Sequence, residues 1–137
     1  MNVQGVLETA IYVDDLETAM TFYRDIIGLE VFASEIPRHV FFRCGIAMLL
    51  LFNPEEALKN GSVPVHGARG PQHVCFRVTG AELDQWLEHL QRHEIGIELD
   101  LRWPNGGRSL YFRDPAGNSV ELASAILWGI SEAVSIP

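Results

Sequence analysis

The sequence predicts one α+β domain in which a βαβββ module occurs twice. Three observations carry the prediction. Two short runs of period-two alternation, Leu7–Val13 and His73–Val78, are each followed at once by an amphipathic helical stretch. Three further strand-like runs follow each of those stretches. The strand-to-helix junctions, Val13 and Val78, lie 65 residues apart, and the same offset relates other features of the halves. A chain of 137 residues is long enough for one core that folds without staples. Module one falls at about 5–53, a linker at about 54–71 and module two at about 72–125, all within a single domain spanning 1–137.

In the first strand Leu7, Thr9, Ile11 and Val13 share one face, and Glu8, Ala10 and Tyr12 share the other. Asp14 and Asp15 offer N-cap oxygens to a helix running to about Ile27. Its apolar stripe is Leu16, Met20, Tyr23 and Ile27, and Gly28 closes it. Strands are then expected at 29–33, 40–44 and 46–52, the last two joined at Gly45. Residues 53–72 carry the Gly, Pro and Asn punctuation of a linker or flap. The second half repeats the order: a strand at 73–78, a helix over about 81–93 that ends near Gly96, and strands at 97–101, 109–113 and 119–123.

Composition narrows the function. The formal charge is −8, and the ten basic residues are Lys59 and nine scattered arginines, a field that repels phosphate backbones. Nucleic acid is therefore not an expected partner. The start MNVQGVLETA lacks the basic and apolar segments of a secretory signal, and no apolar run has the length that spans a bilayer, so the expected location is the cytoplasm, away from membranes. Cys44 and Cys75 have no CxxC spacing, which argues against a zinc knuckle or a redox pair.

The offset of 65 that superposes Val13 on Val78 also superposes Glu8 on His73. Near the module ends Phe42-Arg43 matches Phe112-Arg113, and an offset of 72, which matches Gly45 with Gly117, sets Glu121 on Leu49. Glu121 alternates away from Val120 and Leu122, and His73, Cys75 and Arg77 alternate away from Val74, Phe76 and Val78. Three polar, metal-capable residues on polar strand faces, Glu8, His73 and Glu121, are thus the candidate ligands of a divalent metal. Two carboxylates buried together are costly without a cation.

The segments VDDLETAMTFYRDIIGLEV, GPQHVCFRV and SLYFRDPAGNSVEL resemble the vicinal oxygen chelate superfamily, over about residues 5–125. The resemblance implies the glyoxalase/bleomycin resistance/dioxygenase fold, two βαβββ modules forming an incomplete barrel. It also implies metal ligands at the start of the first strand, at the start of the fifth and in the last strand after DPxGxxxE. Those positions are Glu8, His73 and Glu121. Where the family most often has His, this chain has Glu8, which favours Mn, Fe(II), Co or Ni alongside Zn. A fourth family ligand is replaced by Leu49. A three-ligand site leaves positions open for a substrate with two neighbouring oxygens, or for dioxygen.

The expectation is therefore a divalent-metal-dependent enzyme acting on a small oxygen-chelating molecule, by glyoxalase-like lyase or isomerase chemistry or by extradiol-type dioxygenation. Similarity to extradiol enzymes makes Tyr111 a candidate catalytic donor beside Glu121. Arg77 and Arg113 are candidates for binding an anionic substrate, with Trp103, Tyr12 and Phe42 as aromatic walls. His39 and His66 are further acid/base candidates, and Asp114-Pro115-Ala116-Gly117 reads as a register-setting turn. The alternative is a metal-free small-molecule binder like the bleomycin-sequestering members. The resemblance also implies a homodimer, for which the apolar tail Ile126 to Ile130 offers a surface.

Overall fold

The structure, a computed structural model, describes residues 1–132, which fall into two compact units. The first comprises Met1–Gln72 with Pro115–Gly117, and the second His73–Asp114 with the described residues 118–132.

The first unit contains β1 (Glu8–Tyr12), α1 (Leu16–Thr21), β2 (Glu30–Glu35), β3 (His39–Cys44), β4 (Ala47–Phe52) and the short α2 (Pro54–Ala57). Its sheet has the order β1-β4-β3-β2, with β1 parallel to β4 and the other pairs antiparallel. Asp15 caps α1, its carboxylate accepting from the Thr18 amide at 3.1 Å and from the Thr18 hydroxyl at 2.7 Å. The last turn widens into a π-helical segment over Phe22–Ile26, and Gly28, at φ +85°, ends it. The buried face of this helix, with Leu16, Ala19, Phe22 and Tyr23, covers Ile11, Val40, Phe42, Leu49 and Leu51 of the sheet.

The linker is not structureless. Asn53 Oδ1 accepts from the amides of Glu55 at 2.9 Å and Glu56 at 3.3 Å, Pro54 occupies the first helical position, and α2 results. The remaining strap returns along the open edge of β1, where the Tyr12 amide donates to Gln72 Oε1 at 2.8 Å.

The second unit repeats the plan with β5 (His73–Val78), α3 (Leu83–Arg92), β6 (Leu99–Arg102), β7 (Arg108–Arg113) and β8 (Ser119–Ser124), in the order β5-β8-β7-β6. A 3-10 turn over Gly80–Glu82 leads into α3, and another over Ala125–Trp128 follows β8. Leu83 and Leu90 of α3 and Leu110, Phe112, Val120 and Leu122 of the sheet are buried. Arg108 joins three elements: it forms a bidentate pair with Asp100 of β6 and a 2.6 Å contact to Asp84 of α3. The Asp114 carboxylate accepts from the Asn118 amide at 2.8 Å and side chain at 3.0 Å, which fixes the turn between β7 and β8.

The fold is α+β, two successive βαβββ units as the alternation predicts. Among the described residues no helix is long and apolar enough to cross a membrane. The two ladders also correct one repeat assignment. Glu121 pairs with Cys75 and Tyr111, while Leu50 pairs with Ala10 and Phe41. Ala10 and Cys75 are related by 65, and Phe41 and Tyr111 by 70, so the counterpart of Glu121 is Leu50 and not Leu49.

Candidate functional site

Each sheet has one face under its helix and one face free of it. In the second unit the free face carries His73 and Cys75 on β5, Glu121 on β8 and Ser109 and Tyr111 on β7, as alternation and the ladders require. His73 Nε2 lies 3.2 Å from Glu121 Oε2. His73 Nδ1 is 3.1 Å from the Ser119 carbonyl, which can only accept, so Nδ1 carries the hydrogen and Nε2 is directed at the carboxylate. Glu121 is buried at 6 % exposure, whereas the side chain of His73 is half exposed.

Two further groups surround Glu121. The Cys75 thiol is pushed up to about 12 by desolvation and by the adjacent Glu121 carboxylate, to which it is hydrogen-bonded. The Tyr111 phenol is pushed up by desolvation and by its hydrogen bond to the same carboxylate. Ser109, fully buried, is hydrogen-bonded to Tyr111, and the Trp103 indole N–H donates to Ser109 Oγ at 2.9 Å. A directed chain of donors therefore runs Trp103, Ser109, Tyr111, Glu121. Ser109 carries no sequence signal beyond its place on the Tyr111 face.

In the first unit the free face is apolar. Leu50, Phe52 and Ala57 form a buried cluster with Tyr12, Phe41 and Met48 packed against it. Leu50, Phe52, Tyr12, Phe41 and Met48 floor an open cup of about 820 Å³, with Glu8, Phe32, Arg38, Arg43 and His66 on its walls. His66, on the strap, is hydrogen-bonded through Nδ1 to the Tyr12 hydroxyl and meets the Phe52 ring edge-on at 4.7 Å. Burial pushes the Tyr12 phenol up, so it stays a neutral hydroxyl.

The sequence-derived residues are distributed as follows. His73, Glu121 and Tyr111 come together in the second unit; Glu8 stands exposed on the cup of the first. Tyr12 lines the cup as expected. Phe42 does not: it is fully buried on the helix-covered face, its ring 6.1 Å from Tyr23, and the aromatic wall is its neighbour Phe41. Arg113 is held by Glu98 through bidentate bonds at 2.7 and 3.0 Å, and Arg77 donates to the Ser131 carbonyl. Trp103 is half-buried in the β6–β7 hairpin, its amide donating to the Gly107 carbonyl at 2.7 Å. His39 stacks on Phe41 at 4.0 Å between ring centroids. The arginines that line the cup, Arg38 and Arg43, were not among the sequence candidates, although Arg43 alternates onto the face of Phe41.

Among the described residues no three His, Cys, Asp or Glu side chains gather as a ready-made cation site. The His73–Glu121 pair nonetheless fits one: an imidazole nitrogen and a buried carboxylate oxygen face each other, and the second imidazole nitrogen is oriented by a backbone carbonyl.

A family model for the Glyoxalase/Bleomycin resistance protein/Dioxygenase superfamily matches residues 5–122. The crystal structure of a lactoylglutathione lyase from Agrobacterium tumefaciens is 46 % identical, covers 95 % of this chain and 100 % of that one, and superposes with a TM-score of 0.92. A metallothiol transferase FosB from Staphylococcus haemolyticus is 23 % identical over 129 residues, 91 % of this chain and 86 % of that protein. The fosfomycin resistance protein FosX from Mesorhizobium loti, 19 % identical with a TM-score of 0.65 over 90 % of this chain and 94 % of that one, shares the fold.

Proposed function

The chain belongs to the Glyoxalase/Bleomycin resistance protein/Dioxygenase superfamily, and from that premise we propose that it is a metal-dependent, glyoxalase-type enzyme acting on a small molecule with two neighbouring oxygens. The observation that carries the reading is the His73–Glu121 pair, in which an imidazole nitrogen, its ring oriented by the Ser119 carbonyl, faces a buried carboxylate oxygen at 3.2 Å, a donor set suited to a divalent ion. Glu8 is proposed as the third ligand because it is the ladder counterpart of His73 at the start of the equivalent strand. Bound by this set, a divalent ion of the Mn, Fe(II), Co, Ni or Zn group would supply Lewis-acid stabilisation to a substrate oxygen.

Tyr111 and Glu121 are proposed as the catalytic pair. The phenol, kept protonated by desolvation and by Glu121, is a hydrogen-bond donor at the carboxylate, and Ser109 and Trp103 fix its direction. Cys75 is held as a thiol and is not a nucleophile at neutral pH. Lyase or isomerase chemistry is favoured by the relative that is 46 % identical, which is described as a lactoylglutathione lyase. Extradiol-type dioxygenation is the second reading, favoured by the apolar Leu50 at the counterpart of Glu121, which leaves three protein ligands. The active form is proposed to be a homodimer that covers Ile126, Trp128 and Ile130, exposed at 43 %, 78 % and 51 %.

The test is metal analysis and thermal unfolding of protein purified without chelator. We expect close to one equivalent of metal, a rise in Tm on adding Ni, Mn, Fe(II) or Zn, and loss of both in Glu121→Ala. Metal below about a tenth of an equivalent with no rise in Tm would overturn the reading in favour of metal-free sequestration.

A further inference from the structure

The chain is acidic overall, and four of its nine arginines are held by carboxylates: Arg24 by Asp25, Arg69 by Glu55, Arg108 by Asp84 and Asp100, Arg113 by Glu98. Arg38 and Arg43 differ. Arg43 lies over the Phe32 ring, its guanidinium carbon 4.6 Å from the centroid, and Arg38 lies over Phe52 at 5.2 Å. Neither is ion-paired with a carboxylate among the described residues, and the polar side-chain partner of Arg38 is the His39 Nδ1 at 2.9 Å. Desolvation and the Arg38 charge both lower the His39 pKa, so that ring accepts as a neutral imidazole and leaves the guanidinium charge uncompensated.

Both guanidinium groups stand on the walls of the 820 Å³ cup, above a floor of Phe41, Leu50 and Phe52. That volume suits a small organic molecule, and the lining pairs a large apolar floor with a few charged groups. A guanidinium laid flat on a ring keeps its N–H edge available for a bidentate oxyanion. Arg38 immediately precedes β3 and Arg43 lies near its end, so their Cα atoms are about 16 Å apart along the strand with the floor between them.

We infer that this cup binds an amphipathic organic anion, its apolar or aromatic body on Phe41, Leu50 and Phe52 and its carboxylate or similar oxyanion on Arg38 or Arg43. This names the substrate class of the proposed enzyme and rests on that reading for the chemistry, while the binding itself requires no metal.

The experiment compares phenylpropionate with its uncharged amide, phenylpropionamide, by NMR titration of the full chain in EDTA. The acid is expected to bind about tenfold more tightly than the amide, with shifts at the floor residues. That preference should fall about tenfold in Arg38→Gln or in Arg43→Gln and persist in the surface control Arg24→Gln. Unchanged unfolding temperatures verify that the variants fold. Equal binding of acid and amide, no binding of either, or a preference that survives both substitutions would overturn the inference. Because EDTA removes the metal, failure here is separate from failure of the metal test, and either result can stand without the other.

Discussion

Glu121 is a buried carboxylate flanked by an imidazole, a phenol and a thiol, and its charge governs the chemistry of its neighbours. Desolvation, the larger effect, and that charge together hold the Cys75 thiol near 12. Glu121→Gln removes the second effect but not the first, so the Cys75 pKa should fall and its alkylation at pH 8 should speed up severalfold, measured by mass spectrometry. Unchanged labelling would mean that the carboxylate does not control the sulfur. The adjacent phenylalanines of β3 separate packing from binding in the same manner. Phe42→Ala opens a cavity in a fully buried site and should cost about 3–5 kcal/mol in denaturant unfolding. Phe41→Ala, on the half-open cup, should cost less and weaken phenylpropionate binding.

The strands and long helices were legible because their apolar residues recur at periods of two and 3.6. Two one-residue errors share a physical cause. In Val40-Phe41-Phe42 and in Met48-Leu49-Leu50-Leu51 both faces of the strand are apolar, since one packs under the helix and the other floors the cup; hydropathy then carries no period. Only the ladder registers show that Phe41 lines the cup and that Leu50 matches Glu121. The candidate ligands were visible because their strands alternate, and the free arginines were not, because charge pairing is a property of tertiary neighbours. The helix α2 was legible in Asn53-Pro54-Glu55-Glu56, a cap, a first-turn Pro and two acids, though that stretch also reads as linker punctuation. Asn53→Ala should cost about 1 kcal/mol of stability, read by chemical denaturation. In the second unit Arg108 holds Asp100 below the usual carboxylate range through its hydrogen bonds. A depressed folded-state pKa stabilises above the unfolded value of about 3.9 and loses that contribution as pH falls through the lower folded value. Arg108→Met should therefore be less stable than the parent at neutral pH, with the gap narrowing below about pH 4.

For the whole molecule the dimer proposal gives a direct outcome: sedimentation at micromolar concentration should show twice the 15.3 kDa chain mass, and Trp128→Ser should shift the chain toward monomer. A parent that sediments as a monomer would remove it.

Where one half presents Cys75, Tyr111 and Glu121, the other presents Ala10, Phe41 and Leu50 at matching positions. A duplicated frame has thus been given two vocabularies, one of proton donors and acceptors and one of hydrocarbon. Selection can then retune which molecule the proposed cup would hold by altering Phe41 or Leu50 while the donor-bearing half stays as it is, and a swap such as Leu50→Glu would write the vocabulary of donors and acceptors into the hydrocarbon half.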